Sequence, residues 1–451
     1  MRLRSLASLT LCVLVVLLTG CPKASNVAGG NAGPDVTADA QSPKPGDSTP
    51  AAPPKYDGPP DDAAAVQHLK DRDVSLTMDA NGMVNRAVFI TVYEADIEAL
   101  TKLPQLQRLS LFGPSVTDEW ITKIAEIKSL TELALEKTTM SDATLVTLAG
   151  LPNLKKLEVP YADISDEGLR PLLGCKSLKQ LGLLRTKITD SGVKILCEKQ
   201  DWQLLDLRET QVTNDCMSHL STLKGLKSLK LQKAPINSTG ISQLTGLSNL
   251  KSLSLDLCPD IDNDALAAIA SFQNLEEVYL YKSRVDDEGL EALAKLPKLR
   301  ILKLRESGVT GDDMGIHLAS MQNLQRLDLN ETYFGDNGMV GVGKIPTLER
   351  LELWNTSITG QSLEHVSNLK NLKYLNLDRV DISDGDLAHL AGLEKLEVLI
   401  LNNTYVTDAC VPHLLKLKNL KELELKFASG ISEAGREELK AALPKLQIVT
   451  D

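Results

Sequence analysis

The residues best placed to do chemistry in this chain form columns. Asp118, Asp142, Asp166, Asp190, Asn214 and Ser238 open a series of mostly acidic or amide positions, continued by Asn263, Asp287, Gly311, Asp336, Gly360, Asp384, Asp408 and Glu433. A calcium ladder or a catalytic carboxylate pair needs such groups to converge on one point. A column spaced through the sequence does not converge. Nearly all of these residue types favour helix N-caps, where a side-chain oxygen satisfies an orphan N–H, so capping is the role expected of them. Five histidines, His219, His317, His365, His389 and His413, occupy a second column. Packed helices lie about 8–10 Å apart, too far for parallel imidazoles to reach one zinc ion. Gly338-Met339-Val340-Gly341-Val342-Gly343-Lys344 imitates a phosphate-binding loop, but Ile345 stands where the magnesium-holding hydroxyl belongs. No Gly-x-Ser-x-Gly elbow, His-Glu-x-x-His or Cys-x-x-Cys occurs. The expectation is a chain that is not an enzyme and needs no metal or cofactor.

The elements that hold these columns come from an internal repeat. Leu106, Leu130, Leu154, Leu178, Trp202, Leu226 and Leu250 follow one another at 24-residue intervals. Leu275, Leu299, Leu324, Leu348, Leu372, Leu396 and Leu420 continue the series with two one-residue slips, which makes about fourteen units. Within one unit, Leu133 and Leu135 alternate as in a strand, whereas Leu145, Leu148 and Leu151 recur at near-helical spacing. Each unit therefore reads as strand, turn, helix. One unit cannot bury its apolar side alone, so neighbours must stack.

The motif resembles the leucine-rich repeat over residues 106 to 449. Leu253-Ser254-Leu255-Asp256-Leu257-Cys258-Pro259-Asp260-Ile261-Asp262-Asn263 is similar to the cysteine-containing subtype of F-box substrate receptors. Thr replaces that Cys at Thr138, Thr186, Thr210, Thr332, Thr356 and Thr404, a departure that favours bacterial relatives. The resemblance implies an α/β fold: a right-handed leucine-rich-repeat solenoid, or horseshoe, with a parallel sheet on the concave face and short helices on the convex face.

Solenoid ends expose apolar core and need caps. Residues 61–105 are expected to supply the N-terminal cap and a first partial repeat. Asp61 to Leu69 reads as a capped helix, and Val74, Leu76 and Met78 alternate as a strand. Asn81-Gly82 signals a hairpin turn, and Met83 to Ile90 returns. Residues 106–451 hold the repeats and a C-terminal cap, a helix from Ser432 to Leu443 followed by a half-strand from Leu446 to Val449.

Residues between the strand leucines point away from the core and vary freely, so unusual types there are the candidates for ligand binding. Phe112, Tyr161, Tyr279, Tyr281, Trp354, Tyr374 and Phe427 are aromatic at such positions, in a chain only 4% aromatic. Arg185, Lys230, Arg305 and Arg350 complete the candidate site, since Arg, Tyr and Trp dominate binding hot spots. Trp354 and Tyr374, one repeat apart, are expected to form one exposed aromatic patch. Charge on this face is uneven. Lys155, Lys156, Lys179, Arg185, Arg208, Lys227, Lys230 and Lys233 face only Glu158, Asp206 and Glu209 in four early units, and the balance reverses in the last five.

The N-terminal residues speak to location. Arg2 and Arg4 precede an apolar run from Leu6 to Leu18, too short to span a bilayer, which needs about 20 residues. Leu18-Thr19-Gly20-Cys21 resembles the lipobox of bacterial lipoproteins, which implies a signal peptide over 1–20, lipid on Cys21 and a site in the bacterial cell envelope. Residues 21–60 are rich in Pro, Ala and Gly and read as a tether reaching roughly 35 Å or more. With Cys12 in the expected signal segment, the remaining cysteines, Cys175, Cys197, Cys216, Cys258 and Cys410, are odd in number and scattered, as buried free thiols would be. A formal net charge of -11 gives no general attraction to phosphate backbones, so nucleic acid is not an expected partner. A protein partner is expected, with a glycan or peptidoglycan as further options. A substrate-recognition subunit of the F-box kind would need a docking domain where 22–60 offers only linker; a purely structural envelope protein is the third reading.

Overall fold

The computed structural model describes residues 58–312 and 315–450. The signal segment, Cys21 and the tether up to residue 57 lie outside the described residues. Asp62 caps a helix, α1 (Ala63–Asp71), by accepting a hydrogen bond from Ala65 N. The strands β1 (Ser75–Met78) and β2 (Val84–Val88) pair antiparallel around the Asn81-Gly82 turn, where Gly82 takes φ +79°. From β2 onward every strand pairs parallel with the next in sequence order, ending at Gln447–Val449. The register is exact to the repeat: Leu133, Leu157, Leu181, Leu205, Leu229 and Leu253 are consecutive Cα partners. Each is buried to within 1%. Stacking thus closes the core that no single unit could close.

Most repeat strands hold only three residues, because the chain turns sharply after them. Thirteen non-glycine residues, from Lys137 and Tyr161 through Asn403 and Phe427, occupy the left-handed region at φ 51–64°, one per repeat just past the strand. That conformation costs roughly 1–2 kcal/mol per L-residue. Its return is a hydrogen bond to the next repeat: Tyr161 N donates to Leu184 O at 2.8 Å, Arg185 N to Arg208 O at 2.9 Å and Glu331 N to Trp354 O at 2.8 Å. In four repeats the residue that follows is a buried threonine whose hydroxyl donates to the carbonyl three residues back, as from Thr186 to Leu183 at 2.8 Å. Cys258 does the same work across repeats, its thiol reaching Leu231 O at 3.2 Å.

The opposite side carries the helices, α-helical in units such as Asp142–Ala149 and 3-10 in others such as Glu167–Gly174. Pro171 inside the latter removes an N–H that an α-helix would use. The C-terminal helix, Glu433–Ala442, is capped by Ser432, whose side chain accepts from Gly435 N. Trp202, standing where other units have Leu, is fully buried and donates its indole N–H to Leu196 O at 2.9 Å. Among the described residues no helix is long and apolar enough to cross a membrane.

Candidate binding surface

The acid column does not cap the helices it precedes. The N-caps are the residues just before it: Thr189 accepts from Ser191 N, and Asn237 from Thr239 N. The aspartates of the column instead reach the following repeat. Asp166 accepts the Thr189 backbone N–H at 2.9 Å on one oxygen and its hydroxyl at 2.6 Å on the other. Asp118 does this with Ser141, Asp287 with Thr310 and Asp384 with Thr407. Burial alone would raise the Asp118 carboxyl, but hydrogen bonds from Ser141 and Thr144 outweigh it and hold the group below its usual value. The same balance, with Ser362 and Thr359 as donors, lowers Asp336. A glycine often sits opposite, and at Gly168 or Gly192 a Cβ would collide with the carboxylate of the preceding repeat. The column is therefore a ladder that bonds repeat to repeat, with its oxygens already occupied.

The other columns are also accounted for by packing. The histidines sit on the helix side, four partly exposed and His389 exposed. Among the described residues no three His, Cys, Asp or Glu side chains are grouped as metal ligands. Gly338 and Gly341 lie within a helix, Asp336–Val342. A Cβ on Gly338 would strike the Phe334 ring and one on Gly341 the Gly315 backbone, so these glycines allow close helix packing. The five cysteines are buried free thiols. Burial pushes the Cys197 and Cys258 thiols up to about 12, far from a reactive thiolate.

The strand face organises its aromatic residues around cations. Lys137 Nζ lies 5.1 Å from the Phe112 ring centre and 5.2 Å from that of Tyr161. Arg185 stands 5.3 Å from the Tyr161 ring centre as well, donates to its hydroxyl at 3.1 Å and pairs with Glu209. Lys230 reaches Asp206 at 3.8 Å, beside the tighter Arg208 pair at 2.6 Å. Further along, Arg305 stands 5.2 Å from the Tyr281 ring and 5.0 Å from the Trp354 ring, and its Nε donates to Glu331 at 2.7 Å. Tyr281 in turn donates to Glu306 at 2.9 Å. Arg350 lies 3.5 Å over Tyr374 and is held by Glu352. Tyr279 lies under Lys303 at 5.5 Å and donates to Glu277 at 3.1 Å.

Three consequences follow for the expected site. Trp354 and Tyr374 are half-buried rather than open, each with an arginine over its ring, and the structure joins Trp354 to Tyr281 through Arg305. The basic excess of the early repeats is largely spent internally, since Lys156, Lys179, Arg185, Arg208, Lys230 and Lys233 are ion-paired. Among the described residues Lys155 and Lys227 have no such partner. Lastly, the face holds desolvated carboxylates that sequence gave no reason to single out. Burial, with Glu352 adding repulsion, raises Asp328 to about 6, and burial raises Asp256. Lys137 was also missed, because a lone lysine carries no signal until folding brings two rings within reach of it.

With this geometry in hand, comparison with known proteins is informative at the level of the repeat. A family model described as the LRR repeats of an FBD-associated F-box protein matches residues 214–363, and one described as Leucine Rich repeat matches 150–173. No curated protein matches in sequence. Similar solved structures include an internalin from Listeria monocytogenes, 22% identical, covering 80% of this chain and 94% of that one with a TM-score of 0.45. An LRR protein from Leptospira interrogans is 19% identical, with 80% and 93% covered and a TM-score of 0.44. A TDR receptor is 16% identical, with 78% and 64% covered and a TM-score of 0.48. The parallel register and the repeat matches define the chain as a leucine-rich-repeat solenoid.

Proposed function

We propose that this chain is a non-enzymatic binding scaffold of the bacterial cell envelope, attached through lipid on Cys21, and that it holds a protein partner against the strand face. The observation that carries the reading is the Tyr281, Arg305 and Trp354 group, in which an arginine anchored by Glu331 spaces two aromatic side chains on the outward face. Aromatic and arginine anchors supply most of the energy of protein interfaces, and a prearranged set loses little entropy on binding. Trp354→Ala should abolish capture of those envelope proteins that the parent chain retains; an unchanged capture profile would place the partner elsewhere. The anchor has its own test. Cys21→Ser should move the protein into the soluble fraction, and retention on membranes after a carbonate wash would overturn lipid attachment.

A second reading, recognition of substrates for a larger enzyme complex, is favoured by the F-box-associated repeat match over 214–363. It predicts co-purification with an enzyme subunit that leaves the strand face free.

A further inference from the structure

The most exposed aromatic residues of the repeat array are not on the strand face. Tyr333, Tyr405 and Phe427 are 79%, 78% and 69% exposed, on the turns that follow the strands. Tyr405 and Phe427 belong to adjacent repeats, whose strands pair Leu399 with Leu423. Their rings border one open cleft of about 430 Å³, floored by Asn403, Thr404, Val406, Ser429 and Gly430. None of the described lining residues is charged, in a chain that is 24% Asp, Glu, Lys and Arg.

The polar groups present are hydroxyls and an amide. Among the described residues the Tyr405 and Ser429 hydroxyls have no hydrogen-bond partner. Asn403 donates its Nδ2 to Asp378 Oδ1 at 2.9 Å, which orients the amide and leaves Oδ1 as an acceptor. Exposed aromatic rings with neutral donors and acceptors beside them complement a ligand that has an apolar C–H face and hydroxyls around its rim. A charged peptide gains no ion pair here. A pyranose ring fits both requirements.

We propose that the cleft between Tyr405 and Phe427 is a saccharide-binding site, taking a neutral glycan whose sugar ring stacks on the two aromatic side chains. The site is separate from the strand-face anchors, so it stands or falls independently of the protein-binding role.

The test is calorimetric titration of the full chain with chitotetraose, cellotetraose and maltotetraose. At least one should bind, and Tyr405→Ala should weaken it by about tenfold or more. Tyr405→Phe keeps the ring and should retain most of the affinity. Phe427 has φ 57°, so Phe427→Asn removes the ring with a residue that tolerates this backbone, and should also weaken binding about tenfold. Tyr333→Ala, equally exposed but outside the cleft, should leave binding unchanged. Should Phe427→Asn fail to fold, the 78%-exposed Tyr405 decides alone. No binding of any of the three at about 10 mM, or parental affinity in folded Tyr405→Ala, would overturn the proposal.

Discussion

The edge of the solenoid that carries the acid column and the strand face that carries the aromatic residues are built from the same repeats, yet they spend their polar groups differently. On the edge, one solution recurs in more than half of the units: an Asp that accepts a backbone N–H and a hydroxyl from the next unit, as Asp166 does from Thr189. On the face the aromatic contacts do not repeat, and Arg305, Arg350 and Lys137 each meet rings in a different arrangement. The difference follows from stacking. Whatever every interface between repeats requires must recur at the repeat period, whereas a surface contacting only solvent or a ligand is free to vary. Regular columns of chemically capable residues are therefore evidence for assembly, and irregular ones for recognition.

The strongest break of this contrast is steric. A side chain at Gly192 would overlap the Asp166 carboxylate and approach Ile188 Cγ2 at 2.7 Å. Gly192→Val should destabilise by about 3 kcal/mol in denaturant unfolding; a loss below about 1 kcal/mol would mean that the interface between these repeats is slack. Next in size is the ladder itself. Asp166→Ala leaves the Thr189 N–H without its acceptor and should cost about 1–3 kcal/mol. A double-mutant cycle with Thr189→Ala should show coupling of about 1 kcal/mol across 23 residues of sequence. Simple additivity would return the acid column to a local role.

Smaller effects come from the face. Asp328 titrates near 6 instead of 3.8, so between those pH values the folded chain holds a proton that the unfolded chain has lost. Stability must fall across this window as pH rises. Asp328→Asn removes that penalty and, after discounting for solvent access, should stabilise the protein by about 1 kcal/mol at pH 8. The gain should vanish below about pH 4; a gain independent of pH would rule out the charge as its cause. Least affected should be folding in Trp354→Ala with Tyr374→Ala, where a change beyond about 1 kcal/mol would show these rings to be core. The same double variant should weaken the protein partner by about tenfold or more.

Much of this was legible in the residues alone, for reasons that can be named. The strand and helix of each unit follow from leucine spacing, since period-two and near-helical periods allow no other burial. The hairpin at Asn81-Gly82 and the caps at Asp62 and Ser432 follow from local turn and capping chemistry. Outward positions inside the strands, such as Phe112, Tyr279 and Tyr374, were equally readable, because alternation in a strand decides them. Tyr161, Tyr281, Trp354 and Phe427, expected on the same strand positions, lie past the strand ends, where alternation no longer holds.

What only the tertiary structure decided are relations between repeats. Asp118 and Ser141 are 23 residues apart, and nothing local distinguishes an Asp that caps its own helix from one that bonds the next. The left-handed turn was invisible for a similar reason: Tyr161 and Arg185 are not residues that prefer it, and they adopt it because a carbonyl of the neighbouring unit accepts their N–H. Pairings on the face, such as Arg305 between Tyr281 and Trp354, depend on which long side chain leans toward which ring. Periodicity specifies where a side chain starts; only the packed neighbours determine where its charged end comes to rest.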